Sequence, residues 1–244
     1  MYKFTVMMAD TIFAVKNLYS YTMKMCADYI CESGMDVGIT TNDDDIEFER
    51  RKSLEEADAQ GIPAVEYGAG YLESLAVYRK AATAIPYRGG VLVHGALIAV
   101  DGEGYLFMAP SGTGKTTHVK LWLEKFGDRA EIINGDKPIL RFVGDKLMGY
   151  GTPWCGKEGF NKNASVPVKA VCVLRRGITN HIEDIGEGEA FASIMPYVFK
   201  PEGAGEMELT LDLIDRITGA VRLTRLSCNM DKEAADVAYE GMKN

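Results

Sequence analysis

No C-x-x-C pair occurs among the five cysteines, which stand at positions 26, 31, 155, 172 and 228. Their number is odd, and Cys26 and Cys31 are spaced too loosely for a zinc knuckle. A disulfide framework and a structural zinc site are therefore not expected, and reduced thiols are. No block of like charge is present either: 27 basic against 35 acidic residues give a net charge of −8 without clustering. An electrostatic grip on nucleic acid or on an anionic membrane has no basis in such a pattern. The longest apolar stretch, around "VLVHGALIAV", is far short of a membrane span. The opening "MYKFTVMMADTIFAVKN" carries acidic and polar residues too early for a signal peptide. Internal repeats and low-complexity segments are lacking. Together these absences predict a cytoplasmic protein with no nucleic-acid or membrane partner.

With 244 residues, 47 % of them hydrophobic, the chain can form one large domain or a domain with a small appendage. Residues 1–87 read as a small N-terminal subdomain and 88–244 as the main domain. In the first part "KFTVMM" is a short strand. "TTNDDDIEFERRKSLEEADAQG" is charged and weakly structured by pattern, and its triple aspartate at 43–45 reads as a solvated loop rather than a metal site. "GYLESLAVYRKAATAIP" is a helix, with Leu72, Leu75, Tyr78 and Ala82 at helical spacing. From Val91 the pattern changes. "VLVHGALIAV" and "GYLFMAP" are strand-like runs joined by the hairpin signal "DGEG". "TTHVKLWLEKFG" puts Val119, Trp122, Leu123 and Phe126 on one helix face and stops at Gly127. "EIING", "PILRFV", "LMGYG", "VPVKAVCVLRR" and "HIEDI" are further strands, and helices are expected around 187–197, 206–219 and 231–242.

The second run ends in A-P-S-G-T-G-K-T, residues 109–116, the phosphate-loop pattern G-x-x-x-x-G-K-[ST] with Ala109 in place of the first glycine. Gly112 and Gly114 permit backbone angles that curl successive N–H groups around an anion. The helix that follows adds the positive end of its dipole. Ser111, Gly112, Thr113, Gly114, Lys115, Thr116 and Thr117 are the expected nucleotide-binding residues. Lys115 would reach the β- and γ-phosphates, and the Thr116 hydroxyl would ligate Mg²⁺. The strand ending at Gly135-Asp136 adds a carboxylate twenty residues past Thr116. A phosphate-loop enzyme places a carboxylate near the metal, so Asp136 is read as metal ligand or base.

The hairpin "VLVHGALIAVDGEGYLFMAP" feeding the loop, the "HG" on its first strand, and the trio "YLFMAPSGTGKTTH", "INGDKPILR" and "YGTPWCGKEG" resemble the HPr kinase/phosphorylase and PEP carboxykinase superfamily. They are closest in look to small bacterial HPr-kinase-like proteins. The resemblance spans roughly residues 88–230. It implies an α/β fold with a mixed, partly antiparallel sheet and ATP-dependent, Mg²⁺-dependent phosphoryl transfer to a hydroxyl. Lys115, Thr116 and Asp136 match the resembled motif, and His94-Gly95 match its "HG". The superfamily often carries two acids in tandem where this chain has Gly135-Asp136-Lys137. A second carboxylate is thus missing. The regulatory docking helix of HPr kinase has no match, so HPr is not the expected acceptor.

Two stretches stay open. His94, read on a strand among Leu92, Ala96 and Ile98, is either a core histidine or a group near the γ-phosphate. The segment 149–159, with four glycines, Trp154 and Lys157, is either a ligand-lining loop or an exposed turn. Lys157 would neutralise charge on the transferred group, with Arg141, Arg175 and Arg176 as alternative cations. The expected function is a kinase whose acceptor is a serine in a protein or peptide, or a hydroxylated metabolite. A nucleotide-dependent binding module is the rival, and a PEP carboxykinase-like enzyme is third. The donor (ATP, GTP or pyrophosphate) and self-association into a homo-oligomer stay open.

Overall fold

Residues 1–59 and 61–243 are described by a computed structural model. They divide into two compact units, Met1–Ala84 and Ile85–Asn244.

The first unit opens with a hairpin of β1 (Tyr2–Met8) and β2 (Thr11–Asn17). Ala9 and Asp10 both hold positive φ, 49° and 52°, the backbone twist that a two-residue hairpin turn requires. Helix α1 (Ser20–Met25) follows, and β3 (Val37–Thr40) then pairs parallel to β2. Thr11, Phe13, Val15 and Asn17 alternate inward along β2. Two longer helices complete the unit, α2 (Asp43–Ala59) and α3 (Ala69–Ala84). On α3, Leu72, Ala76 and Val77 are buried. Glu73 is fully buried among them without being orphaned. Its carboxylate accepts from Leu18 N at 2.6 Å, Tyr19 N at 2.8 Å and Thr41 Oγ1 at 2.7 Å.

Helix α2 overturns the reading of 43–59 as weakly structured. Its start is a reciprocal cap, with Asp45 N donating to Asn42 Oδ1 and Asn42 N to Asp45 Oδ2. The triple aspartate fills the first turn, where negative charge meets the helix dipole favourably. Few apolar residues mark the α2 face, so helical periodicity is faint. Ion pairs to α3 hold it instead: Asp45 with Lys80 at 2.7 Å and Glu49 with Arg79 at 2.6 Å.

The second unit contains β4 (Gly90–Leu92), β5 (Gly95–Val100), β6 (Glu103–Met108), α4 (Lys115–Phe126), β7 (Ala130–Asn134), β8 (Ile139–Val143), β9 (Lys146–Tyr150), β10 (Ser165–Arg176), β11 (His181–Asp184), α5 (Glu187–Ile194), α6 (Ala204–Ala220), β12 (Arg222–Cys228) and α7 (Glu233–Met242). The fold is mixed α/β. One path of the sheet runs β4-β8-β9-β10-β6-β5-β7, and β12 joins β10 and β11. The long β10 links two parts. Its first residues pair antiparallel with β9, and the remainder lies parallel between β6 and β12.

Both faces of the sheet are covered. On β6, Tyr105 and Phe107 pack with Val119 and Trp122 of α4 and with Ala235 and Ala238 of α7, while Leu106 and Met108 point to the opposite core with Ile194, Ile214 and Ile217. Central strands buried on both sides read as continuous apolar runs, which explains "GYLFM" and "AVCVL". Two sequence expectations fail here. "VLVHGALIAV" is not one strand: β4 pairs with β8, whereas β5 pairs with β6 and β7. The chain changes partners at Val93-His94. And β12, read as no element at all, lies next to β10 in the sheet.

Candidate functional site

The register of the sheet brings three chain segments to one edge. Gly95 at the start of β5 faces Met108 at the end of β6, and Leu97 of β5 faces Asn134 at the end of β7. The loop after β6, the turn after β7 and the His94 lead-in to β5 therefore converge. Backbone bonds fasten them: Gly95 N donates to Asp136 O at 3.0 Å and Val93 N to Pro138 O at 3.0 Å.

The 109–114 loop connects β6 to α4 with Gly112 and Gly114 at φ 74° and 120°. L side chains avoid such angles. Ser111, Gly112 and Thr117 are exposed, Thr113, Gly114 and Thr116 half-buried, and Lys115 is buried. The Lys115 ammonium turns back on its own loop, donating to Ala109 O at 2.7 Å. Burial lowers its pKa to about 8; Asp136 acts in the opposite sense and Lys137 in the same one. Three residues on, His118 accepts a hydrogen bond from Trp122 Nε1 at 3.1 Å on Nε2, and burial lowers its pKa to about 4. It is a neutral core histidine.

His94 is not on a strand, contrary to expectation. It sits in the break between β4 and β5, partly exposed, with Nε2 3.2 Å from Asp136 Oδ1. Burial works to raise the Asp136 pKa, but the His94 hydrogen bond and the charges of Lys137 and Lys115 outweigh it and hold the carboxyl below its ordinary range. Asp136 is thus a carboxylate at neutral pH, paired with His94 and within range of the Lys115 charge.

Its turn is built on a residue that sequence reading passed over. Asn134, fully buried, accepts from Asp136 N at 2.9 Å and Lys137 N at 2.7 Å, and its amide donates to Thr152 O at 3.0 Å. Thr152, also fully buried, donates to Lys137 O at 2.7 Å. The Asn-Gly-Asp order carried the signal for such a side-chain-made turn. This network joins the turn to the glycine-rich segment 149–159, which lies against Asp136: a Cβ on Gly156 would be 3.2 Å from that of Asp136. Trp154 is buried within the segment. Lys157 is exposed beyond Gly156. Lys137 is the lysine the structure places beside Asp136, 3.7 Å from Oδ2. Of the other cations named from sequence, Arg176 donates to Gly112 O at 2.5 Å, Arg175 is exposed, and Arg141 donates to Arg88 O at 2.9 Å.

A cleft of about 450 Å³ opens beside the loop, lined by Thr113, Thr117, Leu121, Leu174, Arg176 and Met230 among others. It lies at the C-terminal ends of the parallel strands β6, β10 and β12, where open α/β sheets bind ligands. Among the described residues no group of three or more His, Cys, Asp or Glu side chains has metal-holding geometry. No helix of the described residues is long and apolar enough to cross a membrane.

Solved structures and one family model match the chain. The HPr(Ser) kinase/phosphatase from Coxiella burnetii superposes with a TM-score of 0.35 at 9 % identity, over 61 % of this chain and 94 % of that one. Superposition at that level does not establish a common fold. No curated protein matches the sequence. The family model described as SynChlorMet cassette protein ScmC matches residues 72–198, a span that holds His94, the 109–117 loop, Asp136 and the 149–159 segment. Because that match covers more than half of the sequence, the chain belongs to the ScmC family of SynChlorMet cassette proteins.

Proposed function

We propose that this chain binds ATP with Mg²⁺ and transfers the terminal phosphoryl group to a hydroxyl, on a serine of a protein or peptide or on a small metabolite. The observation that carries the reading is the convergence of Lys115, Asp136 and His94 at one sheet edge, beside a glycine loop that opens a helix. The nucleoside would occupy the cleft at the ends of β6, β10 and β12. The β- and γ-phosphates would lie in the 111–117 loop on its backbone N–H groups. Lys115 would exchange its bond to Ala109 O for the phosphates.

Mg²⁺ characteristically takes one or two protein oxygens plus phosphates and waters. Asp136 and the Thr116 hydroxyl fit that donor set, and a dense protein cage is not needed. Bound there, the ion would neutralise charge on the phosphates. In transfer the acceptor hydroxyl gives its proton to Asp136, its oxygen forms the new bond to phosphorus, the bond to the β-phosphate oxygen breaks, and ADP leaves. His94 holds the carboxylate through Oδ1. The acceptor would approach from the 149–159 side, where Gly156 lets the backbone come close to Asp136.

A second reading, a nucleotide-dependent binding module, is favoured by one observation: Asp136 is followed by Lys137 rather than a second acid. Asp136→Asn separates the two. Incubation with γ-labelled ATP, Mg²⁺ and a cell extract should label an acceptor with the parent protein. Loss of a general base costs about 10²–10⁴-fold, so the variant should fall at least that far while still binding metal-free ATP. Recovery at high Mg²⁺ assigns Asp136 to the metal; persistent loss assigns it to the proton. Label confined to ATP with the parent protein refutes the kinase and leaves the module.

A further inference from the structure

Resting on the phosphotransferase reading, we propose that Lys137, beside Asp136, is the cation that holds the transferred phosphoryl group. Its ammonium is 3.7 Å from Asp136 Oδ2, beyond the 2.7–3.2 Å range of a made N–H···O bond. The donors of Lys137 are therefore not consumed by the carboxylate. Its side chain is 27 % exposed, so the group is partly sheltered and still open to a ligand.

Its main chain is mounted with unusual care for a surface lysine. Lys137 N donates to Asn134 Oδ1 at 2.7 Å and Lys137 O accepts from Thr152 Oγ1 at 2.7 Å, and both partners are fully buried. Pro138 follows, with its carbonyl held by Val93 N. A counter-ion that only neutralised Asp136 would need no such support. The charges also fail to cancel. Two ammoniums, Lys115 and Lys137, act on a single carboxylate and raise each other's cost of charge. In a chain of net charge −8 this is a local positive excess, and a polyanion would relieve it. The spare charge of a phosphoryl group in flight resides on its equatorial oxygens, and a lysine meets it as a point charge. The acceptor proton goes to Asp136.

The position predicts discrimination by phosphate number. Calorimetry would compare ATP, ADP and inorganic pyrophosphate binding to the parent, Lys137→Met, Lys137→Arg and Lys115→Ala proteins, with and without Mg²⁺. One charge-assisted hydrogen bond corresponds to about tenfold in affinity. Lys137→Met should weaken ATP by about that factor and leave ADP within roughly twofold. Lys137→Arg should restore most of the loss, which a change in folding would not show. Equal weakening of ATP and ADP, or no weakening of either, overturns the assignment. If Lys137→Met does not fold, the ATP-to-ADP ratio of Lys137→Gln decides on the same terms. Failure of the underlying reading looks different: the parent then binds none of the three ligands, and this assignment falls with it. If the parent binds, Lys115→Ala does not and Lys137→Met binds ATP as tightly as the parent, only the Lys137 assignment falls.

Discussion

Replacing Asn134 by alanine should dismantle the site without touching any group proposed to meet a ligand. The side chain is fully buried and makes three short hydrogen bonds, to Asp136 N at 2.9 Å, Lys137 N at 2.7 Å and Thr152 O at 3.0 Å. Alanine removes all three bonds and leaves Thr152 O only the long 3.5 Å bond from Asn161 Nδ2. A buried group left without its partner costs about 1–3 kcal/mol. Asp136 and Lys137 are only half-buried, so water replaces part of their loss, while Thr152 is sealed. The sum is about 2–4 kcal/mol, which for a unit of this size lowers the melting temperature by about 4–16 °C. Circular dichroism melts and urea midpoints would measure it. The stronger test is coupling. Thr152→Val removes the bond to Lys137 O from the other side of the same turn. If Asn134 and Thr152 hold one network, the double variant should be less destabilised than the sum of the singles, by at least about 0.5 kcal/mol. Additive effects, or a loss under 1 kcal/mol for Asn134→Ala, would refute the claim that this amide positions Asp136 and Lys137.

Gly151→Ala should be severe, because the new Cβ would lie 1.9 Å from Lys162 O and 2.9 Å from Ile133 O, both backbone atoms that cannot swing away. A loss of about 3 kcal/mol or more in urea unfolding is expected, and a loss within 1 kcal/mol would show that the 160–164 segment is not fixed against β7. Acid should weaken the first unit through Asp45. Burial raises its pKa, but Lys80, the Asn42 N–H and Arg79 together hold the folded value below ordinary, so this carboxylate contributes stability above about pH 4 that is lost as pH falls through the folded value. Melts between pH 7 and pH 3 should show that acid limb, and Asp45→Asn should flatten it; an unchanged limb would remove Asp45 from the account.

What the sequence made legible was local. The strand–glycine loop–helix of 103–126 is written in consecutive residues: an apolar run buried on both faces, glycines where φ is positive, and Val119 and Trp122 at helical spacing on the covered face. The β5–β6 hairpin and the β8–β9 hairpin are equally local, each marked by a glycine turn. Helix α2 was not legible, because its cap is polar and its stability comes from ion pairs made with α3 rather than from an apolar stripe. Strand β12 was missed for a related reason: "RLTRLSC" alternates weakly, and its burial comes from lying against β10.

The site itself depends on register, which no window of sequence contains. His94 was read on a ten-residue strand, either as a core histidine or as a group near the γ-phosphate. It becomes a partner of Asp136 only because β4 and β5 take different neighbours, so that the chain must turn at Val93-His94, and because β5 runs antiparallel between β6 and β7. A parallel β6–β7 pair would have put His94 elsewhere, with every motif intact. The same holds for the choice between lysines. Sequence directed attention to Lys157, in a glycine-rich loop with a tryptophan, and treated Lys137 as the place where an acid was missing. The buried Asn134–Thr152 pair reverses that order: it fixes the Lys137 backbone beside Asp136, while Lys157 is left exposed at the loop. A charge acts in a site through its mount as much as through its identity. Two uncharged, fully buried side chains therefore decide which lysine stands beside the carboxylate.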